Sequence, residues 1–456
     1  MTHPVRAVYP VLLAVERAIF RRDYLRELRF QRQMRRADWK VQLDQSRKRA
    51  VMQANRMAQV SPAYRSLLAE RGVRLPIDER PESWLALPTL RKADFQMAPE
   101  TWVNETLDRS RMSWSSTSGS SGEPFHFPES TESRRAEFAS FELSLREIGW
   151  RPGQPEGLIK IDPPRVRGLR RVVKQAIGTL PVTFSAVKYR ADDTAAIAEA
   201  FNRAGVQFLR SFPTVLLLLS EEMLRRGLRC RIPRIMVFGE GLSPSRARVI
   251  EEAFHTAVYR DYGGSEAMHI GFQCPRCSAY KLDLSRYYVE VLDGDRPVPY
   301  GEYGEIVVTC FRNEAFPFVR YRMGDSGTML DPQESCPCGG GVWRLGEIRG
   351  RVIDVIYAPN GERLDAAFLV VVMEYAHDHI LAYKFVQREP DLIELLYVPR
   401  HPKARENLSD AVKQITDRVH GALRLQLTEV AEIPAELSGK RKILVPLKSE
   451  WKTSVE

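Results

Sequence analysis

At 456 residues, 44% hydrophobic and 28% charged, the chain is long enough for two or three folding units and can bury a sizeable core. Gly and Pro, at 28 and 29 residues, stand at ordinary levels, which excludes collagen and low-complexity disorder; the longest unbroken aliphatic stretch, Val215 to Leu219, is far short of the roughly 20 residues of a membrane helix. The net charge of +10 is concentrated in residues 1–50, which hold thirteen Lys/Arg against five Asp/Glu, and this excludes a nucleic-acid-binding body with basic residues spread over its folded face.

Val8, Leu12, Val15, Ile19 and Leu28 stand at helical spacing with arginines between them, predicting a basic amphipathic helical extension over 1–50. Such a helix either packs on the main body or touches an anionic membrane surface or acidic partner. Its apolar run is broken by Glu16 and Arg17 without a small-residue cleavage site, which fails as a secretory signal. Six cysteines are too few for a disulfide scaffold and fit a reducing, cytoplasmic setting. Residues 51–110 read as helices around a polar linker, followed by a Gly/Ser-rich tract at 113–124 and a long helix from about Glu132 to Ile148. From 155 to 260, β-rich runs (GLIKI, VTFSAV, QFLRSF, RIMVFG, AVYRDYG) alternate with helical stretches at 192–204, 214–227 and 243–254. That alternation predicts a parallel sheet covered on both faces. Over 286–330, YYVEVL, EIVVTC and PFVRYR separated by Gly/Pro turns predict a small antiparallel sheet or barrel, and a second α/β stretch runs from about 350 to the end.

Six short signatures are candidates for chemistry. Ser115–Pro124 contains Ser118, Gly119, Ser120, Ser121 and Gly122, whose backbone and hydroxyl donors can wrap phosphate oxygens; Glu123 stands where a Walker lysine would be needed. Val237–Gly241 ends a hydrophobic strand in Gly239 and Glu240, where open parallel sheets bind ligands. In Asp261–Glu266, Tyr262 beside Gly263 can stack on a base and Glu266 can hold Mg²⁺. Asp325, ending RYRMGD, can accept both hydroxyls of a ribose; Arg351 opens GRVID; Lys440 sits on a glycine turn, SGKRK. Each alone also reads as an ordinary turn, linker or solvated loop.

Taken in order, the series resembles the adenylate-forming superfamily of acyl-CoA synthetases, adenylation domains and luciferases. GEGLSPSRARVIEEAF, DYGGSEA and EAFPFVRYRMGD are most similar to the phenylacetate-CoA ligase branch, including its capsule-biosynthesis relatives. The resemblance covers about 60 to 450. It implies an α/β fold: a large N-terminal domain of stacked α/β sheets with a small β-rich subdomain over 51–348, and a small, mobile α+β C-terminal domain over 349–456. It implies ATP-dependent activation of a small carboxylic acid, with release of pyrophosphate and transfer to coenzyme A; an amine, carrier protein, glycan or bare AMP transfer is the alternative. In that scheme the 117–124 loop holds the β- and γ-phosphates, and Gly239 and Glu240 border an adenine on which Tyr262 stacks. Glu266 binds Mg²⁺, Asp325 and Arg351 hold the ribose, and Lys440 is the mobile lysine of the first half-reaction. Met323 and Ile353 depart from the family pattern, Ile353 at a hinge position usually acidic or basic.

Cys274, Cys277, Cys336 and Cys338 form two tight turns 59 residues apart and can hold a tetrahedral Zn²⁺; unmetallated thiols or redox pairing fit the same spacing. Cys230 and Cys310 read as core. His126, His255 and His269 lie near motifs without being needed by this chemistry. Phe184, Phe212 and Phe272 are candidates to line an acyl pocket.

Overall fold

A computed structural model describes residues 22–96, 98–116, 126–160, 180–186, 189–274, 276–334, 336–337, 343–351, 355–365, 369, 372–373, 379–433, 443–445 and 447. The chain divides into two compact units, one of residues 1–323 and 327–348, the other of 324–326 and 349–456.

The larger unit begins with two helices. α1 spans Arg22–Arg36, and the chain then breaks because Asp38 accepts the Lys40 N–H at 2.8 Å and caps α2, Trp39–Val60. α1 lies against α3, Thr131–Glu147, which is itself capped by Ser130 receiving the Ser133 N–H at 3.1 Å. The contact is specific. Gln31 Nε2 donates to the Ala136 carbonyl at 2.8 Å, Tyr24 donates to Glu142 at 2.6 Å, and Arg35 reaches the Ser140 carbonyl and Glu147, each at 3.1 Å. The described part of the basic segment is thus docked on the body, and its first 21 residues lie outside the described ones. Among the described residues no helix is long and apolar enough to cross a membrane.

Strands β1 (Met112–Ser116) and β2 (His126–Ser130) pair antiparallel on either side of the Ser/Gly tract. The parallel core follows: β3 (Glu156–Lys160), β4 (Val182–Ser185), β5 (Phe208–Ser211), β6 (Ile235–Phe238) and β7 (Val258–Tyr262). Alternation puts Ile159, Leu209, Val237 and Val258 against α4 (Thr194–Ala204), α5 (Pro213–Arg225) and α6 (Pro244–Phe254) in one apolar cluster. The opposite face, with Phe208 and Met236, packs against Leu145 of α3 and against Ile148 and Trp150 just after it. Each crossover helix stops on a signal: α4 at Gly205 (φ 60) and α6 at His255 (φ 53), both left-handed.

The antiparallel strands do not form a separate sheet. β8 (Gly271–Gln273), β9 (Tyr280–Leu282), β10 (Tyr287–Asp293), β11 (Arg296–Pro297), β12 (Tyr303–Cys310), β13 (Tyr321–Met329) and β14 (Arg344–Arg351) extend the parallel core into one twelve-stranded sheet. Its order is β11-β10-β12-β13-β14-β9-β8-β7-β6-β5-β3-β4. The direction changes at β7, which pairs parallel with β6 and antiparallel with β8.

The smaller unit has a hairpin of β15 (Val355–Tyr357) and β16 (Arg363–Asp365). Beside it, β17 (Ile380–Glu389), β18 (Leu392–Pro399), β19 (Arg424–Glu429) and β20 (Leu444–Val445) form a sheet ordered β19-β18-β17-β20. Helix α7 (Ser409–Arg418) contributes Ala411 and Ile415 to a core with Phe385, Leu395 and Tyr397.

Candidate functional site

The carboxyl ends of β6 and β7 carry two of the signatures. After β6, Gly239 takes φ 79, a conformation favouring glycine, and Glu240 turns back onto α5. There Glu240 Oε2 accepts the Thr214 N–H at 3.0 Å and the Thr214 hydroxyl at 2.7 Å. This supplies the cap that Phe212, at the helix N-terminus, lacks. The other oxygen, Oε1, is closed off from solvent and has no donor among the described residues.

After β7 the chain makes a tight loop to β8. Gly264 N–H bonds to the Ala267 carbonyl at 3.0 Å, and Ile270 N–H to the Tyr262 carbonyl at 2.8 Å. Gly263 is required by space, since an added Cβ would stand 2.6 Å from the His269 nitrogen and 2.8 Å from the Ala267 oxygen. Tyr262 is buried, with its ring edge-on to Tyr280 at 6.1 Å. Glu266 projects from this loop and its Oε1 accepts the Tyr321 hydroxyl at 3.0 Å. The structure therefore joins the DYGGSE and RYRMGD signatures.

The arginines of RYRMGD have other duties. Arg320 is fully buried and pairs with Glu290 at 3.3 Å, and Arg322 pairs with Glu305 and donates to Thr89. Asp325 stands on β13 four residues beyond Tyr321, and Gly324–Ser326 group with the smaller unit. Ser118, Gly119, Ser120, Ser121, Gly122, Lys440 and Cys338 lie outside the described residues. Arg351 closes β14, and only its backbone is described.

Sequence reasoning passed over a polar cluster on the α3 face of the sheet. His269, in the left-handed region at φ 56, is buried; its Nδ1 is 2.5 Å from Asp261 and its Nε2 is 2.7 Å from Ser144 on α3. Nearby, Arg210 of β5 holds its guanidinium 4.1 Å from the centre of the Phe141 ring and 5.4 Å from that of Phe238. Lys160, the last residue of β3, places Nζ 5.4 Å from the same Phe238 ring. Arg210 Nε is shut off from solvent without a partner among the described residues. Burial lowers the pKa of both cations, and the charge of Arg210 lowers that of Lys160 further; burial raises that of Glu137, which faces them from α3. A lysine closing the apolar run GLIK, and an arginine inside FLRSF, were the available signals. Of the proposed acyl-pocket phenylalanines, Phe212 packs on Phe238 at 4.8 Å, Phe272 stacks on His269, and Phe184 packs on Phe201 in the cluster of the other face.

Cys274, Cys277 and Cys336 converge. Cys336 Sγ lies 3.5 Å from Cys274 Sγ and 3.7 Å from Cys277 Sγ. These separations are far beyond a disulfide bond and close to the roughly 3.8 Å between sulfurs of a tetrahedral zinc with bonds of about 2.3 Å. Arg276 ties the two turns together through the Pro337 carbonyl at 3.0 Å. Cys230 and Cys310 are buried apart from this group, and burial pushes the Cys230 thiol up to about 11. A cavity of about 830 Å³ lined by Phe30, Arg49, Arg56 and Arg312 opens elsewhere and includes none of the signature residues.

No family model matches the chain. It is 27% identical over 246 residues to the phenylacetate-coenzyme A ligase of Thermus thermophilus, covering 50% of this chain and 54% of that protein. It is 28% identical over 135 residues to the indoleacetate–lysine synthetase of Pseudomonas savastanoi, covering 29% and 32%. The matched stretches thus span between about a third and about half of these relatives' own length. Among solved structures, a 2-hydroxyisobutyryl-CoA ligase in its postadenylation state superposes with a TM-score of 0.69 at 18% identity, covering 89% of this chain and 90% of that one. In sequence the chain is similar to phenylacetate-coenzyme A ligases over about half its length, and its fold is that of the 2-hydroxyisobutyryl-CoA ligase.

Proposed function

We propose that the protein activates a carboxylic acid with MgATP as an acyl-adenylate, releases pyrophosphate, and passes the acyl group to the thiol of coenzyme A. The observation that carries this reading is the hydrogen bond from Tyr321 to Glu266, which draws two distant signatures to one place at the carboxyl end of the parallel core. Glu266 would hold Mg²⁺, whose charge offsets that building on the phosphate oxygens. Glu240 Oε1, closed off and lacking a donor among the described residues, suits the amino group of a purine edge. Gly239 would border that edge, Tyr262 would flank the base, and Gly263 would let the backbone come close. Ser118–Gly122, Asp325, Arg351 and Lys440 take the phosphate, ribose and transition-state roles that the resemblance assigns. A carboxylate attacking the α-phosphorus builds charge that a lysine can stabilise, so Lys440→Ala should cut pyrophosphate release by roughly 10²–10³ while ATP binding changes little.

A second acceptor class is supported by the relative whose name joins indoleacetate to lysine. Pyrophosphate release measured over aryl and alkyl acids, with coenzyme A or with amines, separates the two. Thioester in the coenzyme A arm supports the first reading, amide without thioester supports the second, and no acid-dependent pyrophosphate with any acid rejects both.

The three converging cysteines, with Cys338 as fourth ligand, would hold a structural Zn²⁺ within the larger unit. Buried Cys274 and Cys336 and the sulfur separations favour this over a redox pair.

A further inference from the structure

Resting on that reading, we propose that the acid activated carries a second anionic group, a carboxylate, sulfonate or phosphate ester, which is seated on Lys160 and Arg210. The two cations sit at the carboxyl end of β3 and on β5, on the face that also presents Phe238 and Asp261. This is the edge at which a parallel sheet offers its ligand crevice. Phe141 and Phe238 hold the guanidinium against their rings, which orients it while leaving its edge donors to be used in the sheet's crevice.

Missing partners set these two cations apart. Elsewhere in the same sheet, two buried arginines meet carboxylates: Arg320 pairs with Glu290 and Arg322 with Glu305. Among the described residues, the side chains of Lys160 and Arg210 make no hydrogen bond or ion pair, and Arg210 Nε is sealed from solvent. Three carboxylates, Asp261, Glu156 and Glu137, exert their charge on Arg210, and none of them bonds to it among the described residues. Asp261 is turned to His269 at 2.5 Å, and Glu137 forms no hydrogen bond or ion pair among the described residues. Two adjacent cations withdrawn from water without a bonded counter-ion are unfavourable by themselves. A substrate anion accepting from both would complete the site, and Phe212 packed on Phe238 supplies apolar surface for the rest of the acid.

The test compares phenylacetate with its ortho-, meta- and para-carboxy and sulfo derivatives as substrates of the full-length protein, by kcat/KM for pyrophosphate release. Calorimetry of the same acids without ATP gives an independent readout. At least one dianionic isomer is expected to exceed phenylacetate by roughly 30-fold, and Lys160→Gln and Arg210→Gln should each erode that ratio by about tenfold or more without raising KM for ATP. The carboxy and sulfo arms tell which anion is taken. No preference for any dianion overturns the proposal, as do variants that lower both acid classes equally. A rise in KM for ATP alone overturns it too, by assigning the cations to the nucleotide phosphates. If no acid releases pyrophosphate, the adenylation reading fails, and calorimetry still decides the subsite: dianion binding lost in Lys160→Gln supports it, and no dianion binding in the unaltered protein rejects it.

Discussion

Gly263 and Gly241 stand in neighbouring strand-end turns yet face opposite constraints. A Cβ at 263 would meet the His269 nitrogen and Ala267 oxygen, both backbone, whereas at 241 it would meet nothing within 4 Å. Gly263→Ala should therefore cost about 2–4 kcal/mol and displace Glu266, while Gly241→Ala should stay within about 0.5 kcal/mol. Denaturant midpoints of the two variants decide it, and equal midpoints would refute the contact. Tyr321→Phe removes one donor from Glu266; it should lower stability by only about 1 kcal/mol yet depress pyrophosphate release, and an unchanged rate would detach Glu266 from the chemistry. Glu137 gives a pH signature. Burial raises its pKa in the fold, so its contribution to stability is greatest at acid pH, where it is protonated in both states. That contribution declines as pH climbs from the ordinary glutamate range through the raised value. Glu137→Gln should remove this decline and raise Tm at pH 7; a parallel pH profile in the variant would contradict the assignment. At this scale, Gly263 and Glu266 could be singled out from DYGGSE only in series with the other signatures, because alone it also reads as a turn after a strand. Tyr321 acting on Glu266 could not, since the contact crosses 55 residues. Nor could Lys160 and Arg210, which stand out only because they make no hydrogen bond or ion pair among the described residues.

Docking of α1 on α3 is carried by a small number of polar anchors rather than by a wide apolar seam. Arg35 alone donates to the Ser140 carbonyl, Ser140 Oγ, Ser144 Oγ and Glu147. Through Ser144 it reaches His269, so the helix communicates with the β7–β8 loop. Arg35→Ala should cost about 2–3 kcal/mol and speed hydrogen exchange across α1, whereas exposed Arg36→Ala should be near neutral. Equal exchange in both variants would show the anchor to be dispensable. The alternation of VFG- and DYG-type runs with helical stretches made the parallel core legible, because β3–β7 and their crossovers each repeat a strong local period. The antiparallel strands were legible as strands, but their continuity with the parallel core was not. Nothing local in YYVEVL or EIVVTC records that the ladder continues through β14, β9 and β8 to β7. The break at Asp38 had a signal, an Asp before an apolar-periodic run, which the long arginine-rich pattern obscured.

Two compact units, the smaller built on one apolar cluster and the larger on three, imply that heating the whole chain produces two transitions rather than one. The cysteine group belongs wholly to the larger unit, where it ties the turn after β8 to the one before β14. Metal held there stabilises only the state in which the sulfurs converge, so its binding energy is folding energy of that unit. Calorimetry after exhaustive chelation should therefore show one transition displaced downward by several degrees and the other unmoved. Cys274→Ser should reproduce that displacement without chelator, and Cys230→Ser, remote from the group, should not abolish zinc retention. Near-stoichiometric zinc in the purified protein is the companion measurement. Protein free of zinc, with both transitions indifferent to chelator, would leave three clustered thiols and no metal centre. A shift of both transitions together would instead mean that the two units unfold as one.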